Sequence, residues 1–157
     1  TDKSLDNFFY LNLINKIFPN AKVINCKRNA LPSIMSILIN NLIEISWAHK
    51  IEHILKYFDI YYKMIENYKK IYPDFIYEVQ YEKFVNDPMN ESKKLMKFCN
   101  LPWSNKCLEF YKRKDLVSKT RSNVQIRKAI YKDSINKYLP YKQFLNKYFK
   151  KYPWLNH

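Results

Sequence analysis

The 157-residue sequence contains no glycine. Phosphate-binding loops of the P-loop and dinucleotide-fingerprint kinds need glycine where the backbone turns tightly against a phosphate. The absence therefore excludes both loops from this chain. If the protein handles a nucleotide, the loop that holds its 5′ end must lie elsewhere.

Cysteine and histidine are scarce, with three of each. Cys26, Cys99 and Cys107 form no CxxC pair, so we expect small buried side chains or free thiols of a reducing compartment, and nothing requires a disulfide between Cys99 and Cys107. His49 and His53 are predicted on one helix face without a third ligand nearby. The sequence therefore predicts no metal site, and we expect a cytoplasmic protein.

Long apolar runs are also missing, and no stretch has the length of a transmembrane helix or the form of a signal peptide. We therefore expect no membrane partner. The length is that of one domain, and because the chain begins at Thr1 rather than at Met, we expect it to be a piece of a longer protein.

Acidic residues are few: 14 Asp and Glu stand against 28 Lys and Arg, which gives a net charge of +14. Residues 112–157 contain thirteen of the basic residues and only two Asp. Such a balance favours an anionic partner: a nucleotide, a nucleic acid, an acidic peptide or a membrane surface. A solvated, Lys-rich surface explains the bulk charge equally well.

Residues 21–36 combine a short apolar run with residues that suit an anion site. The run over 21–26 predicts a buried strand, and Arg28 follows at its end. Asn29 can cap the next helix, and Pro32 suits its first turn, which places Ser36 early in that helix. A guanidinium at a strand end and a hydroxyl in the following helix could together grip a phosphate, although an Arg in a loop and a solvent-facing Ser fit the same pattern.

Hydrophobic periodicity predicts helices that alternate with two strands. Besides the helix after Arg28, helices are predicted over 8–17, 44–71 and 88–100, around 108–110, and from 134 onward. A second strand is predicted over 74–82, where apolar and polar residues alternate. This order predicts an α/β fold with parallel strands. Residues 117–129 show no clean period, and we interpret them as a functional loop.

An ordered series of short motifs runs through nearly the whole chain. In chain order these are Asp2-Lys3 with Asn7-Phe8, Phe18-Pro19-Asn20-Ala21-Lys22, Arg28-Asn29 with Ser36, Tyr81-Glu82, Phe98-Cys99-Asn100-Leu101-Pro102-Trp103, and Thr120-Arg121-Ser122-Asn123-Val124-Gln125-Ile126-Arg127. Each motif is weak alone, but their order is specific. By this order the chain resembles the nucleotide-dependent sulfotransferases, of the bacterial type that follows tetratricopeptide repeats and is similar to tyrosylprotein sulfotransferases.

The resemblance implies an α/β fold, a partial P-loop-NTPase-like three-layer fold with a short parallel sheet flanked by helices. Residues 1–157 would be the C-terminal portion of a sulfotransferase domain that lacks the 5′-phosphosulfate loop. The implied reaction moves a sulfuryl group from PAPS (3′-phosphoadenosine 5′-phosphosulfate) to a hydroxyl acceptor such as protein tyrosine or a glycan, without a metal. Upstream tetratricopeptide repeats in the same protein are an implied partner, and the segment alone would be inactive.

The resemblance also implies roles for individual residues. The implied cofactor-binding residues are Arg28, Ser36, Tyr81, Ser122, Gln125, Arg127 and Lys137. Arg28 and Ser36 would hold the 3′-phosphate, Tyr81 would contact the adenosine part, and the later residues would wrap or reach the nucleotide. Lys3 would be the catalytic lysine, because a fixed cation stabilises the negative charge that builds on the transferring group.

Several positions depart from the family pattern. Pro32 is displaced from its usual place after Arg28-Asn29, and Asn40 stands where relatives often carry a further phosphate-binding Arg. Three carboxylates could be nominated as a general base; we interpret Glu44 and Glu52 as helix-surface groups and Glu82 as structural.

Two alternatives stay open. The departures from the family pattern favour an inactive sulfotransferase-like scaffold. The net charge of +14 suggests a basic nucleic-acid-binding module, which we do not favour because the aromatic residues fall mainly on helical core stripes.

Overall fold

The computed structural model of the chain describes residues 1–40, 42–113, 127–133 and 135–156. The α-helices and strands are α1 (Leu11–Ile17), β1 (Val23–Lys27), α2 (Ala30–Asn40), α3 (Ile51–Ile71), β2 (Ile76–Gln80), α4 (Tyr81–Asn86) and α5 (Pro88–Phe98). Shorter 3-10 helices cover Asn7–Tyr10, Ser46–His49, Asn105–Cys107, Phe110–Lys112, Leu139–Tyr148 and Pro153–Asn156.

The two strands form a parallel sheet. Val23 pairs with Ile76 and Lys27 with Gln80, so the strands stay in step over their whole length. This pairing confirms the predicted α/β fold with a short parallel sheet flanked by helices. Parallel pairing brings the carboxyl ends of β1 and β2 to one edge of the sheet, which we call the carboxyl edge.

One hydrophobic cluster packs the sheet against α3. Its buried members are Phe8, Leu11, Ile65, Phe75 and Ile76. Because the members come from the amino-terminal segment, α3 and β2, their burial fixes how the sheet sits on the long helix.

A polar group, which we call the interior network, lies on the same face of the sheet. The Tyr61 hydroxyl donates to Asn25 Oδ1 at 2.7 Å, and Asn25 Nδ2 donates to Glu78 Oε2 at 3.5 Å. Glu78 also forms ion pairs with Lys27 and Lys69, at 3.8 and 3.6 Å. Asn25 is only 9% exposed, so these hydrogen bonds supply partners that water cannot.

A second hydrophobic cluster joins α2, α3 and the C-terminal 3-10 helices. Its buried members are Ala30, Ile34, Ile54, Leu55, Leu145, Tyr152 and Leu155. Ile34 and Ile54 have no exposed surface. The C-terminal residues therefore complete the packing of α2, the helix that follows Arg28.

The prediction of one long helix over 44–71 is wrong at its start. Ser46–His49 form a 3-10 helix, and Lys50 then adopts an extended conformation before α3 begins at Ile51. His49 and His53 therefore lie on different helices. Within the described residues, no group of three His, Cys, Asp or Glu side chains is placed to hold a metal ion.

The predicted second strand is too long at its carboxyl end. β2 ends at Gln80, and Tyr81 and Glu82 form the first turn of α4 instead of closing the strand. Burial of Val85, which is 5% exposed, favours the helical turn that brings its side chain inward.

The prediction of one amphipathic α-helix from residue 134 onward is wrong. Residues 139–148 form a 3-10 helix instead, and Pro153 starts a second 3-10 helix.

The helix predicted over 88–100 is confirmed as α5. Asp87 caps it by accepting the Asn90 backbone N–H at 3.3 Å, and Pro88 occupies the first turn. Asn100 follows the helix with φ of 56°, the one positive φ among the described residues. Leu101 N–H donates to the Met96 carbonyl at 3.0 Å, which is a typical way to end a helix.

The three cysteines are predicted to be small buried side chains or free thiols. Cys26, Cys99 and Cys107 are all free thiols. Cys26, however, is exposed rather than buried, because it lies on the face of β1 that points away from α3. In the part of the chain that the structure describes, no helix is both long and apolar enough to cross a membrane.

Candidate functional site

The carboxyl edge of the sheet carries the candidate site. β1 ends at Lys27 and is followed by Arg28, while β2 ends at Gln80 and is followed by Tyr81. Because the strands are parallel and in register, two predicted site residues distant in sequence emerge side by side.

Arg28 and Tyr81 are in direct contact. The guanidinium carbon of Arg28 lies 4.8 Å from the centre of the Tyr81 ring, a cation–π distance. Both side chains are half-buried. The contact limits the directions that the guanidinium can take, and a planar guanidinium offers two parallel N–H donors to a phosphate.

A second set of contacts, which we call the edge network, fixes the turn after β1. The Asn29 backbone N–H donates to Glu82 Oε1 at 2.9 Å. The Gln80 side-chain amide donates to Glu82 Oε2 at 2.7 Å and to Asn29 Oδ1 at 3.4 Å. Both carboxylate oxygens of Glu82 are therefore engaged, as its structural interpretation predicts.

Sequence reasoning missed the partners of Glu82. Asn29 is predicted only as a helix cap and Gln80 only as a strand residue, although the structure joins them through one carboxylate. The available signal was the position of both pairs, Arg28-Asn29 and Tyr81-Glu82, just beyond parallel strands.

Ser36 lies in the second turn of α2, about 9 Å along the helix axis from Ala30. Its hydroxyl accepts from Asn40 Nδ2 at 3.1 Å, and the same nitrogen donates to the Ser36 carbonyl at 2.7 Å. Among the described residues no hydrogen bond joins Ser36 to Arg28. The structure therefore places Ser36 in the helix that follows Arg28, with no hydrogen bond between these two described residues.

Lys3 is exposed in the segment that precedes the first 3-10 helix. That segment is held against α3, because the Tyr57 hydroxyl donates to Asp6 Oδ1 at 2.8 Å. The Trp47 ring stacks on Tyr57 with ring centres 3.8 Å apart. Burial and the neighbouring Asp6 carboxylate raise the pKa of Tyr57, so its hydroxyl stays protonated and remains a donor.

The remaining predicted nucleotide-binding residues come after Tyr81 in the chain. Ser122 and Gln125 lie outside the described residues. Arg127 donates to the Arg113 carbonyl at 2.7 Å, and the Lys137 ammonium lies 5.2 Å from the centre of the adjacent Tyr138 ring.

Carboxylates of β2 and α4 affect the pKa of Tyr62 on α3. Burial, together with the negative charges of Glu78 and Glu82, raises the pKa of Tyr62 to about 12. Lys27 lies 5.7 Å from the centre of the same ring. The Tyr62 phenol therefore stays neutral to a higher pH than an ordinary tyrosine.

A cavity of about 600 Å³ lies at the opposite, amino edge of the sheet. Lys22, Asp74 and Asn100 are among its lining residues. Arg28, Ser36 and Tyr81 do not line it, so it is separate from the candidate site.

Comparison with known proteins identifies the family. A model of the sulfotransferase family matches residues 1–105, which include Lys3, Arg28, Ser36 and Tyr81. An uncharacterized protein of Aquifex aeolicus (strain VF5) is 36% identical over 148 residues, which are 92% of this chain and 19% of that relative. The chain thus spans about a fifth of the relative's length. With the family model covering most of the chain, and the motifs in family order, this protein belongs to the sulfotransferase family.

Proposed function

We propose that this chain contributes the 3′-phosphate and adenosine side of a site that transfers a sulfuryl group from PAPS to a hydroxyl acceptor. Family membership supports sulfuryl transfer in general. The observation that carries the finer proposal is the Arg28–Tyr81 contact at the carboxyl edge, directly before α2. Ligands of open α/β sheets bind at this edge, where helix amino termini offer free N–H groups to anions.

Arg28 binds the 3′-phosphate in this proposal through the planar fork of its guanidinium. Tyr81 restricts that guanidinium by ring contact and lies beside the adenosine. Ser36 supplies a hydroxyl to the same phosphate once it exchanges its hydrogen bond from Asn40, and Ser122, Gln125, Arg127 and Lys137 complete the nucleotide contacts.

In the proposed reaction, the acceptor oxygen forms a bond to sulfur while the bond between sulfur and the bridging phosphate oxygen breaks. Adenosine 3′,5′-bisphosphate leaves, and the acceptor hydroxyl gives its proton to a base that we do not assign to this chain. Negative charge grows on the bridging oxygen, and Lys3 is proposed to neutralise it. The proposal includes no metal.

The 5′-phosphosulfate loop is proposed to lie in a preceding part of a longer, cytoplasmic polypeptide. Two observations support this: the chain contains no glycine, and it spans only 19% of the Aquifex relative. A tetratricopeptide region and a protein-tyrosine or glycan acceptor belong to the same proposal. We expect residues 1–157 alone to bind the bisphosphate weakly and to turn nothing over.

Titration of the complete polypeptide with adenosine 3′,5′-bisphosphate tests the proposal. We expect saturation at one equivalent, competition with PAPS, and sulfate transfer to a hydroxyl acceptor. Nucleotide binding without transfer to any tested protein or glycan would favour the inactive scaffold. Binding of single-stranded nucleic acid that falls steeply with salt, together with no bisphosphate binding, would favour the basic module instead.

A further inference from the structure

Glu82 occupies an unexpected place for an acidic residue, because it lies next to Tyr81 in a proposed anion site. A carboxylate near a bound phosphate repels it unless the carboxylate is neutralised or turned toward donors. Here both oxygens accept N–H groups, one from Asn29 at 2.9 Å and one from Gln80 at 2.7 Å. The Glu82 carboxylate is therefore hydrogen-bonded by donors of the protein itself, a backbone amide and a side-chain amide.

The bond to Asn29 constrains the backbone that carries Arg28. Asn29 follows Arg28 directly, and its backbone N–H is hydrogen-bonded to Glu82, which lies 53 residues later in the chain. The Tyr81 ring meanwhile holds the Arg28 guanidinium, at 4.8 Å. Adjacent residues of α4 thus fix the side chain and the backbone of the same arginine.

We propose that Glu82 is a positioning residue for the 3′-phosphate site, acting through Arg28 and not by touching the nucleotide. This inference rests on the proposed function. A hydrogen bond to an ionised acceptor is stronger than a neutral one, so the carboxylate is well suited to hold a turn that has no glycine to shape it. In this proposal, the energetic cost of placing an anion near the ligand is offset because Arg28 is held in place before the nucleotide binds.

The test measures the dissociation constant of adenosine 3′,5′-bisphosphate for the complete polypeptide by calorimetry. Glu82→Ala is expected to weaken binding about tenfold, because the backbone next to Arg28 is then no longer held and has to be ordered when the nucleotide binds. Glu82→Gln keeps an oxygen that can accept from Asn29 and is expected to recover part of the affinity. Glu78→Ala is the matched control, since it removes a carboxylate of β2 that contacts Lys27 and Lys69 but not Asn29. It is expected to bind within about twofold of wild type, even where its melting temperature is lower.

A double mutant separates positioning from direct contact. If Glu82 acts through Arg28, adding Glu82→Ala to Arg28→Ala weakens binding no further than Arg28→Ala alone. Fully additive losses, wild-type affinity in Glu82→Ala, or an equal loss in Glu78→Ala would each overturn the inference while leaving the proposed function intact. A wild-type protein that binds no bisphosphate would instead overturn the proposed function, and this role with it.

Discussion

The interior network and the edge network both link β1 to β2 through side chains, yet they differ in what surrounds them. In the interior network Asn25 is 9% exposed and is closed over by Tyr61 of α3. The edge network, formed by Asn29, Gln80 and Glu82, begins at the last strand pair and extends beyond it, beside the half-buried Arg28. A polar link inside the packing is expected to act mainly on stability, whereas one at the carboxyl edge can also orient a group that meets a ligand. The comparison therefore predicts that changes in the two networks have separable effects.

The largest expected effect is at the edge. Arg28→Ala should weaken adenosine 3′,5′-bisphosphate binding by about 1.5–3 kcal/mol, because it removes a charge-assisted hydrogen bond. The free energy of unfolding should change little. Calorimetry on the complete polypeptide measures the affinity, and Lys22→Ala, which removes one positive charge at the amino edge, is the control. Equal losses in both variants would show a general charge effect and would remove the distinction between the two edges.

An intermediate effect is expected in the interior. Tyr61→Phe leaves Asn25 Oδ1 without its 2.7 Å donor and should lower the free energy of unfolding by about 1–2 kcal/mol. Bisphosphate affinity should stay as in wild type. Urea denaturation measures the stability, with Tyr68→Phe as the control, since the Tyr68 hydroxyl makes no hydrogen bond within the described residues. A Tyr61→Phe variant that keeps its stability but loses nucleotide affinity would reverse the comparison.

The smallest effect is expected from alkaline pH. The pKa of Tyr62 is raised to about 12 in the folded protein, above the value of about 10 for an unfolded chain. The neutral phenol is therefore favoured by folding, so its contribution is complete below pH 10 and is lost as the pH rises through 12. Because Tyr62 is only partly buried and solvent screens the neighbouring charges, we expect the free energy of unfolding to fall by about 0.5–1 kcal/mol over this interval.

Urea denaturation at a series of alkaline pH values checks this fall. In Tyr62→Phe the free energy of unfolding should fall less with rising pH than in wild type. Part of the fall remains, because the pKa of Tyr61 is also raised by burial. Identical slopes in the two proteins would contradict a role for Tyr62.

Local signals in the sequence predicted much of the fold. The apolar run before Arg28 located β1, and Asp87-Pro88 located the start of α5. Both signals act within a few residues, so they can be read without knowing what packs nearby. Periodicity failed at residues 44–50 and at 139–148, where extended Lys50 and a 3-10 helix replaced the predicted α-helix.

The site was predictable only in part. The parallel order of the strands implied that the residues after β1 and β2 would meet, and Arg28 and Tyr81 do meet. The link from Glu82 to Asn29 spans 53 residues and depends on the exact end of β2, which the alternating pattern placed two residues too late. The contact does not test binding, so Arg28 and Tyr81 stay predictions as site residues. The same holds for Lys3, Ser36, Arg127 and Lys137, and Ser122 and Gln125 lie outside the described residues.

Asn100, with its positive φ of 56°, shows how this chain turns without glycine. Asparagine tolerates the left-handed region better than most residues, although it still has a Cβ atom. Each position where a Cβ replaces glycine reduces the number of conformations open to the unfolded chain and stabilises the fold by about 0.4–1 kcal/mol where the native backbone permits it. The missing glycine thus lowers the conformational entropy that folding must overcome, throughout the chain.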